Sequence, residues 1–280
     1  MTRRINGLRI AFLERPLPID HQGALADRLV PLLREQGATV DVIHAEVGLH
    51  RIDVRPHWDL VVLKSGSAAA LHLAATAEAW SIPSINTSHA TRLAQDKLAS
   101  SAILQRAGLP IARSRLAWLG GTATSSDIAR LDERPVIVKA ARGSQGQGLW
   151  SVDAGGLSDA SAAIPPGPYL VMDRVPHAGD DLKIFVAGSW IDAIERPFPA
   201  RTLEQKLGRP VAVPPEVAEA AWRVGAVLGL TCFGCDFVNT ADGWILVDVN
   251  AFPGYKGTPK AVEAIADVIG THAATIGVTV

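Results

Sequence analysis

The stretch Cys235–Gly254, Cys-Asp-Phe-Val-Asn-Thr-Ala-Asp-Gly-Trp-Ile-Leu-Val-Asp-Val-Asn-Ala-Phe-Pro-Gly, decides how this chain is read. Asp242-Gly243 is a strong hairpin signal, since tight hairpin turns need a backbone that tolerates positive φ. The turn Thr240–Gly243 joins two runs that read as strands, Cys235–Val238 and Trp244–Val249. Asp236 and Asp248 then sit on neighbouring strands, with Asn250 two residues beyond Asp248. Alternation places Asp248 and Asn250 on one face. Two carboxylates and an amide oxygen on one sheet face are hard donors of the kind Mg²⁺ takes, with water and phosphate oxygens completing its shell. A polar solvent-facing hairpin is the competing reading. It fits poorly with Asp248-Val249-Asn250 running straight into Ala251-Phe252-Pro253-Gly254.

Working outward, strands are expected at Leu182–Val186 and Trp190–Glu195, and helices at Pro215–Leu228 and Pro259–Ala273. Upstream, Lys139 ends the apolar run Val136-Ile137-Val138 of a strand spanning Pro135–Ala140 and precedes Gly143-Ser144-Gln145-Gly146-Gln147-Gly148. Glycines let a backbone approach a phosphate closely, and a nearby ammonium adds a point charge. The loop is not a Walker A motif, which would end in lysine and lead into a helix. Nor is it a dinucleotide fingerprint, because the expected strand Leu149–Val152 follows it. A plain hairpin turn would have the same composition.

Further strands are expected at Leu116–Leu119 and Tyr169–Asp173, with a helix containing Asp96-Lys97 that runs to about Arg106. The first eighty-six residues alternate strands (Leu8–Leu13, Thr39–His44, Asp59–Lys64, Ser84–Asn86) with helical patterns, which implies a parallel sheet with helices on its faces. Pro31 should kink the first helix or mark a later start. The fold class is thus α/β followed by α+β. Its domains are residues 1–86, a central unit at 87–171 with the glycine-rich loop, and a C-terminal unit at 172–280 with the acidic hairpin.

Composition narrows the function. The 280 residues are 48% hydrophobic and 20% charged, an ordinary globular balance. Lysine plus arginine (27) nearly cancels aspartate plus glutamate (28), so nothing suggests binding to nucleic acid or to an anionic membrane. The seven tryptophans are spread singly, unlike a base-stacking surface. Two cysteines, Cys232 and Cys235, exclude a disulfide framework, fit a cytoplasmic protein and read as packing residues rather than a zinc or redox pair. No segment is apolar enough to span a membrane. Met1–Asp20, interrupted by Arg9, Glu14 and Arg15, does not read as a signal peptide.

Taken in order, Asp96-Lys97, Val138-Lys139 with Gly143–Gly148, Leu170-Val171-Met172-Asp173, Asp181-Leu182-Lys183, Glu195-Arg196, Phe233-Gly234-Cys235-Asp236 and Val247–Gly254 resemble the ATP-grasp superfamily, over about Asn86 to Ala273. The resemblance implies an N-terminal parallel α/β domain and two α+β subdomains enclosing ATP. It implies that Lys97 and Lys139 hold ATP phosphates beneath a loop carrying Ser144, Gln145, Gly146 and Gly148. Met172, Asp173, Arg174 and Val175 would form the adenine-reading hinge, with Asp173 where most members have glutamate, and Asp181 would lie near the ribose. Asp236, Asp248 and Asn250 would hold Mg²⁺, two ions in all, while Arg196 and Lys183 would face the transferred phosphate.

Within the superfamily the glycine loop is similar to RimK-type glutamate ligases, which implies a carboxylate–amine ligase working through an acylphosphate on small-molecule or peptide substrates. Pro197–Arg209 departs from those ligases, being short and lacking their asparagine. Arg196-Pro197, Lys183 and Asp248–Tyr255 are closer to the inositol-phosphate kinases of the same superfamily, although Gln147 stands where those carry histidine. The basic residues Lys64, Arg201, Lys206, Arg209 and Lys256 could serve such an anionic substrate. A non-catalytic ATP-binding regulatory module is a third reading, and a homo-oligomer is left open. Substrates are expected near Lys64, Arg196 and Tyr255.

Overall fold

The computed structural model describes residues 5–16, 24–120, 133–142, 148–176, 179–198, 200 and 202–275. Three sheets organise them. The first is parallel, with β1 (Arg9–Leu13), β2 (Thr39–Ile43), β3 (Leu60–Leu63) and β4 (Ser84–Ile85) in the order β2-β1-β3-β4. β3 is buried at every position, as a parallel strand covered on both faces should be. Its crossover helix α2 (Ala68–Ala79) starts where the Ser67 hydroxyl accepts the Ala70 N–H. The preceding helix, α1 (Leu25–Glu35), runs through Pro31 instead of starting after it. Its first turn is held by the Asp27 carboxylate, which accepts the Ala24 N–H at 3.1 Å, and Leu25, Leu29, Val30 and Leu33 are buried along one side.

A helix-linking segment follows, and here the chain differs from the expected single helix. α3 (Ser88–Gln95) ends at Asp96, and α4 (Lys97–Arg106) begins immediately after it. The Asp96 carboxylate accepts the Leu98 and Ala99 N–H groups at 3.1 and 3.0 Å, so this residue is an N-cap rather than a helix-interior position. The break places Lys97 in a first turn, where its own N–H donates to the Ala141 carbonyl at 3.0 Å.

The second sheet is antiparallel: β5 (Ser114–Leu119), β6 (Val136–Ala140), β7 (Leu149–Val152) and β8 (Gly167–Asp173) in the order β5-β8-β6-β7. α5 (Leu157–Ala163) contributes Leu157 to the core on one face, with Val136, Val138 and Val171. The third sheet is also antiparallel: β9 (Asp180–Ala187), β10 (Trp190–Pro197), β11 (Arg209–Val211), β12 (Cys232–Thr240) and β13 (Gly243–Ala251) in the order β11-β10-β9-β12-β13. α6 (Leu203–Leu207), α7 (Pro215–Leu228) and α8 (Ala261–Thr275) complete the elements used below. α6 and β11 go beyond the expected elements, although Thr202 and Gln205 form a capping box that is visible in the sequence.

Packing does not follow the linear division at 86/87 and 171/172. β8 runs across the second boundary. α3 and α4 contribute Ala90, Ala94 and Leu104 to a core shared with α7 and the third sheet, not with the second. α8 returns to the first sheet, where Ile265 and Ile269 share a core with Ile10, Phe12 and Leu60. The same core takes in Phe185 and Ile194 from the third sheet and Phe252 just past β13.

One buried amide ties the first sheet to the third. Asn86 is 1% exposed; its Nδ2 donates to the Cys232 carbonyl at 2.7 Å, and its Oδ1 accepts the Thr231 and Cys232 N–H groups at 2.8 and 2.9 Å. Truncation would take the side-chain acceptor from the Thr231 and Cys232 N–H groups, while the Cys232 carbonyl keeps the Phe252 N–H at 2.9 Å; a backbone group left buried and unpaired costs on the order of 1–3 kcal/mol. We predict that Asn86→Ala lowers unfolding free energy by about 3 kcal/mol in urea titrations. A loss below about 1 kcal/mol would contradict this role.

Candidate active site

Cross-strand pairing on the third sheet decides which side chains meet. Asp248 of β13 stands opposite Asp236 of β12, and Asp236 opposite Lys183 of β9. Two residues before Lys183, Asp181 stands opposite Arg196 of β10. Alternation therefore puts Asp181, Lys183, Arg196, Asp236, Asp248 and Asn250 on one face. Asn250 faces Gly234, which has no side chain to fill the space between them. The register of β12 against β13 shifts just after Asp236, a bulge next to the acidic pair that the sequence does not signal.

Each carboxylate is matched by a cation. Lys97, reaching in from α4, donates to Asp248 Oδ1 at 2.6 Å, and Asn250 Nδ2 donates to Asp248 Oδ2 at 3.2 Å. Lys183 donates to Asp236 Oδ1 at 2.5 Å. Arg196 donates through Nε and Nη2 to both oxygens of Asp181, at 2.7 and 2.8 Å, and Nη2 also lies 3.4 Å from Asp236. Burial would raise the Asp248 carboxyl, but the charges of Lys97 and Lys139 outweigh it, and it is held at about 2. At Asp181 burial wins instead and pushes the carboxyl up, against the bond from Arg196. Burial likewise opposes the Arg196 charge, and Asp181 and Asp236 more than restore it.

Lys139 is different. It is 8% exposed on β6, and its Nζ donates to the Val247 carbonyl at 2.6 Å instead of to a carboxylate. Burial lowers its pKa despite the pull of Asp248. This ammonium is short of counter-charge, the condition an incoming anion would relieve.

Lys97, Lys139 and Asp248 line a cleft between α4, the second sheet and β13. Its remaining walls include Ile111, Met172 and Leu246. On the second sheet, Lys139 pairs with Leu170, and Met172 with Ile137, so those four residues share the cleft-facing side. A backbone bond from the Leu246 N–H to the Pro110 carbonyl at 2.6 Å closes one side. The cleft is therefore lined mainly by apolar side chains, with Lys97, Lys139 and Asp248 as its charged groups.

The hinge residues divide by what their groups already do. The Asp173 and Arg174 N–H groups donate to the Arg113 and Pro135 carbonyls, both at 2.9 Å. The Asp173 carboxylate pairs with Arg115 at 2.9 Å, and the Arg174 guanidinium reaches Asp153 at 2.7 Å and Ser151 at 3.0 Å. Among the described residues the Val175 N–H carries no backbone partner. Ser144, Gln145 and Gly146 lie outside the described residues, as do Gln147, His177 and Arg201. Gly148 closes the β6–β7 turn at φ +71°, and a Cβ there would stand 2.8 Å from that of Ala140.

Asp181, which the resemblance sets beside the ribose, has a side chain 1% exposed, with both oxygens accepting from Arg196. Two further expectations are corrected. Tyr255 is expected near substrate, yet it is fully buried against Phe185 and Phe252 and donates its hydroxyl to the Val186 carbonyl at 2.7 Å. Among the basic residues, Arg209 is tied to Glu195, and Lys64 follows β3 of the first sheet, where burial lowers its pKa against the pull of Glu14. Cys232 and Cys235 are buried as expected, with the Cys232 thiol pushed up to about 12 by burial. Sequence reasoning misses the roles of Asp96 and the Val247 carbonyl, which position Lys97 and Lys139. Asp96 carries a legible cap signal; a main-chain acceptor carries none.

The donor set fits a hard cation. Asp236 and Asp248 face each other with Asn250 beside them, all oxygen donors of the type Mg²⁺ prefers. Among the described residues, no cluster of three His, Cys, Asp or Glu side chains is arranged to hold a metal. A cation here would accordingly rely on the amide, water or phosphate for its other ligands.

No family model matches the chain. A probable alpha-L-glutamate ligase from Alkalilimnicola ehrlichii is 25% identical over 269 residues, covering 87% of this chain and 88% of that protein. The ribosomal protein bS6–L-glutamate ligase of Salmonella schwarzengrund is 28% identical over 247 residues, covering 83% and 82%. The crystal structure of a RimK domain ATP-grasp protein from Sphaerobacter thermophilus superposes with a TM-score of 0.72 at 22% identity, covering 93% of this chain and 99% of that one. Among the described residues no helix is long and apolar enough to cross a membrane. The chain has the ATP-grasp fold, and in sequence it is similar to glutamate ligases of the RimK type.

Proposed function

We propose that this protein is an ATP-dependent carboxylate–amine ligase. The γ-phosphoryl group of ATP passes to a carboxylate oxygen and ADP leaves; an amine then attacks the acyl carbon and phosphate departs, leaving an amide. The observation that carries the reading is the convergence of Lys97 and Lys139, from two different elements, on β13 at a cleft whose other walls are mainly apolar. That layout suits a molecule with a flat apolar base and a polyanionic tail. Substrates belong to the small-molecule or peptide class, with glutamate a candidate from the relatives. Those relatives are ligases, which does not favour the hydroxyl-kinase or regulatory readings.

In this reading the hinge contributes the Val175 amide, the two lysines bind phosphate oxygens, and Arg196 and Lys183 neutralise the transferring group. Asp236, Asp248 and Asn250 would hold Mg²⁺, which when bound would neutralise phosphate charge. Lys97 and Lys183 already hold one oxygen of each carboxylate. Phosphate oxygens offer both amines an alternative partner, so their transfer frees the carboxylates. The glycine-rich loop would exclude water from an acylphosphate.

Lys139→Ala should weaken ADP binding by about 10–100-fold in calorimetry, the scale of one charge-assisted hydrogen bond. Unchanged affinity would argue against the phosphate role. Asp248→Asn should abolish ATP turnover while the far-UV spectrum is kept. Its acid behaviour is a second check. A carboxyl held at about 2 contributes stability above its unfolded value near pH 4 and loses it as pH falls through about 2. Between those limits wild-type protein should lose more stability than Asp248→Asn, and parallel acid curves would contradict the ion pairing.

A further inference from the structure

Arg196 is the most constrained cation on the sheet face. Two of its three nitrogens grip both oxygens of Asp181, a two-pronged contact that sets the plane of the guanidinium as well as its position. Asp181 is an expensive partner: its side chain is 1% exposed, and a buried carboxylate is costly unless fully matched. Nη2 lies 3.4 Å from Asp236, so a second carboxylate competes for the same guanidinium. Nη1 makes no hydrogen bond among the described residues.

We infer that Asp181 is a positioning residue for phosphoryl transfer, acting through Arg196: it holds the guanidinium off the metal-binding carboxylate Asp236 and leaves the remaining donor for the transferred phosphoryl oxygens. The inference rests on the ligase reading of this site. Without Asp181, Arg196 on its flexible stem would settle on Asp236, removing a donor from the reaction and an oxygen from the metal site together. A ribose hydroxyl, by contrast, reaches Asp181 only by breaking the two-pronged contact.

The test is a kinetic cycle on the full chain, following phosphate release from ATP with Mg²⁺ and pooled small carboxylates and amino acids including L-glutamate. Asp181→Asn should lower kcat about 10–100-fold, the usual cost of losing an orienting partner, with the KM for ATP changed by less than about threefold. Arg196→Lys keeps a cation but cannot make the two-pronged contact. In that background the Asp181→Asn step should cost less than about threefold, because the two residues act as a unit. A rise in the KM for ATP, or an equal kcat loss in both backgrounds, overturns the inference in favour of a direct nucleotide role.

Should Asp181→Asn not fold, Asp181→Glu keeps the charge but displaces the guanidinium; wild-type kcat in that variant also overturns it. A separate readout is the Arg196 Nε–H nitrogen–proton resonance. It should be slow to exchange in wild type and lost or shifted in Asp181→Asn, and an unchanged signal counts against the clamp. If wild-type protein releases no phosphate from ATP, the ligase reading falls, and the resonance alone judges the clamp.

Discussion

Two carboxylates cannot face each other across adjoining strands without cations to hold them there. Asp236 and Asp248 are direct register partners, a like-charge pair that destabilises a sheet on its own. Lys183 and Arg196 approach Asp236 from within the sheet, and Lys97 approaches Asp248 from outside it. The fold is arranged around supplying that third cation. The break at Asp96 starts α4 where Lys97 can reach β13, and the Lys97 N–H is itself bonded to Ala141, just past the end of β6 in the second sheet. One residue thereby joins the helix, both antiparallel sheets and the acidic pair.

The same constraint explains how the layers are stacked. The charged face of the third sheet is continuous with an apolar one, since Phe185, Ile194, Cys232 and Phe252 lie in the core shared with the first sheet and α8. The apolar part of that face is thus sealed by the parallel domain, with Asn86 as its buried tether, and Asp248 of the charged part lines the cleft. Lys139 spans the opening from the second sheet to the Val247 carbonyl. Cations and oxygen donors are already paired with one another at this junction.

Much of this is legible in the residues. The strand Leu149–Val152 and the helix Pro215–Leu228 have the bounds the pattern indicates, and alternation alone places Asp248 and Asn250 together. Local signals fail where two local rules compete. Asp96 sits in a helical pattern, yet its carboxylate caps two amides better than it serves a helix interior. Of the two outcomes expected of Pro31, a kink or a later start, the later start does not occur, and α1 runs through it with Leu29, Val30 and Leu33 buried. The partners of Asp181, Lys183 and Arg196 are out of reach for a different reason. They depend on the register of β9 against β10 and β12, which only the assembled sheet sets.

The most direct measurement follows the γ-phosphate of labelled ATP in the full chain with Mg²⁺, pooled small carboxylates and amino acids including L-glutamate. The account predicts label released as free phosphate only when a carboxylate and an amine are both present. Label retained in a stable phosphoester would contradict it and make the protein a hydroxyl kinase; tight ATP binding without any release would make it a regulatory module.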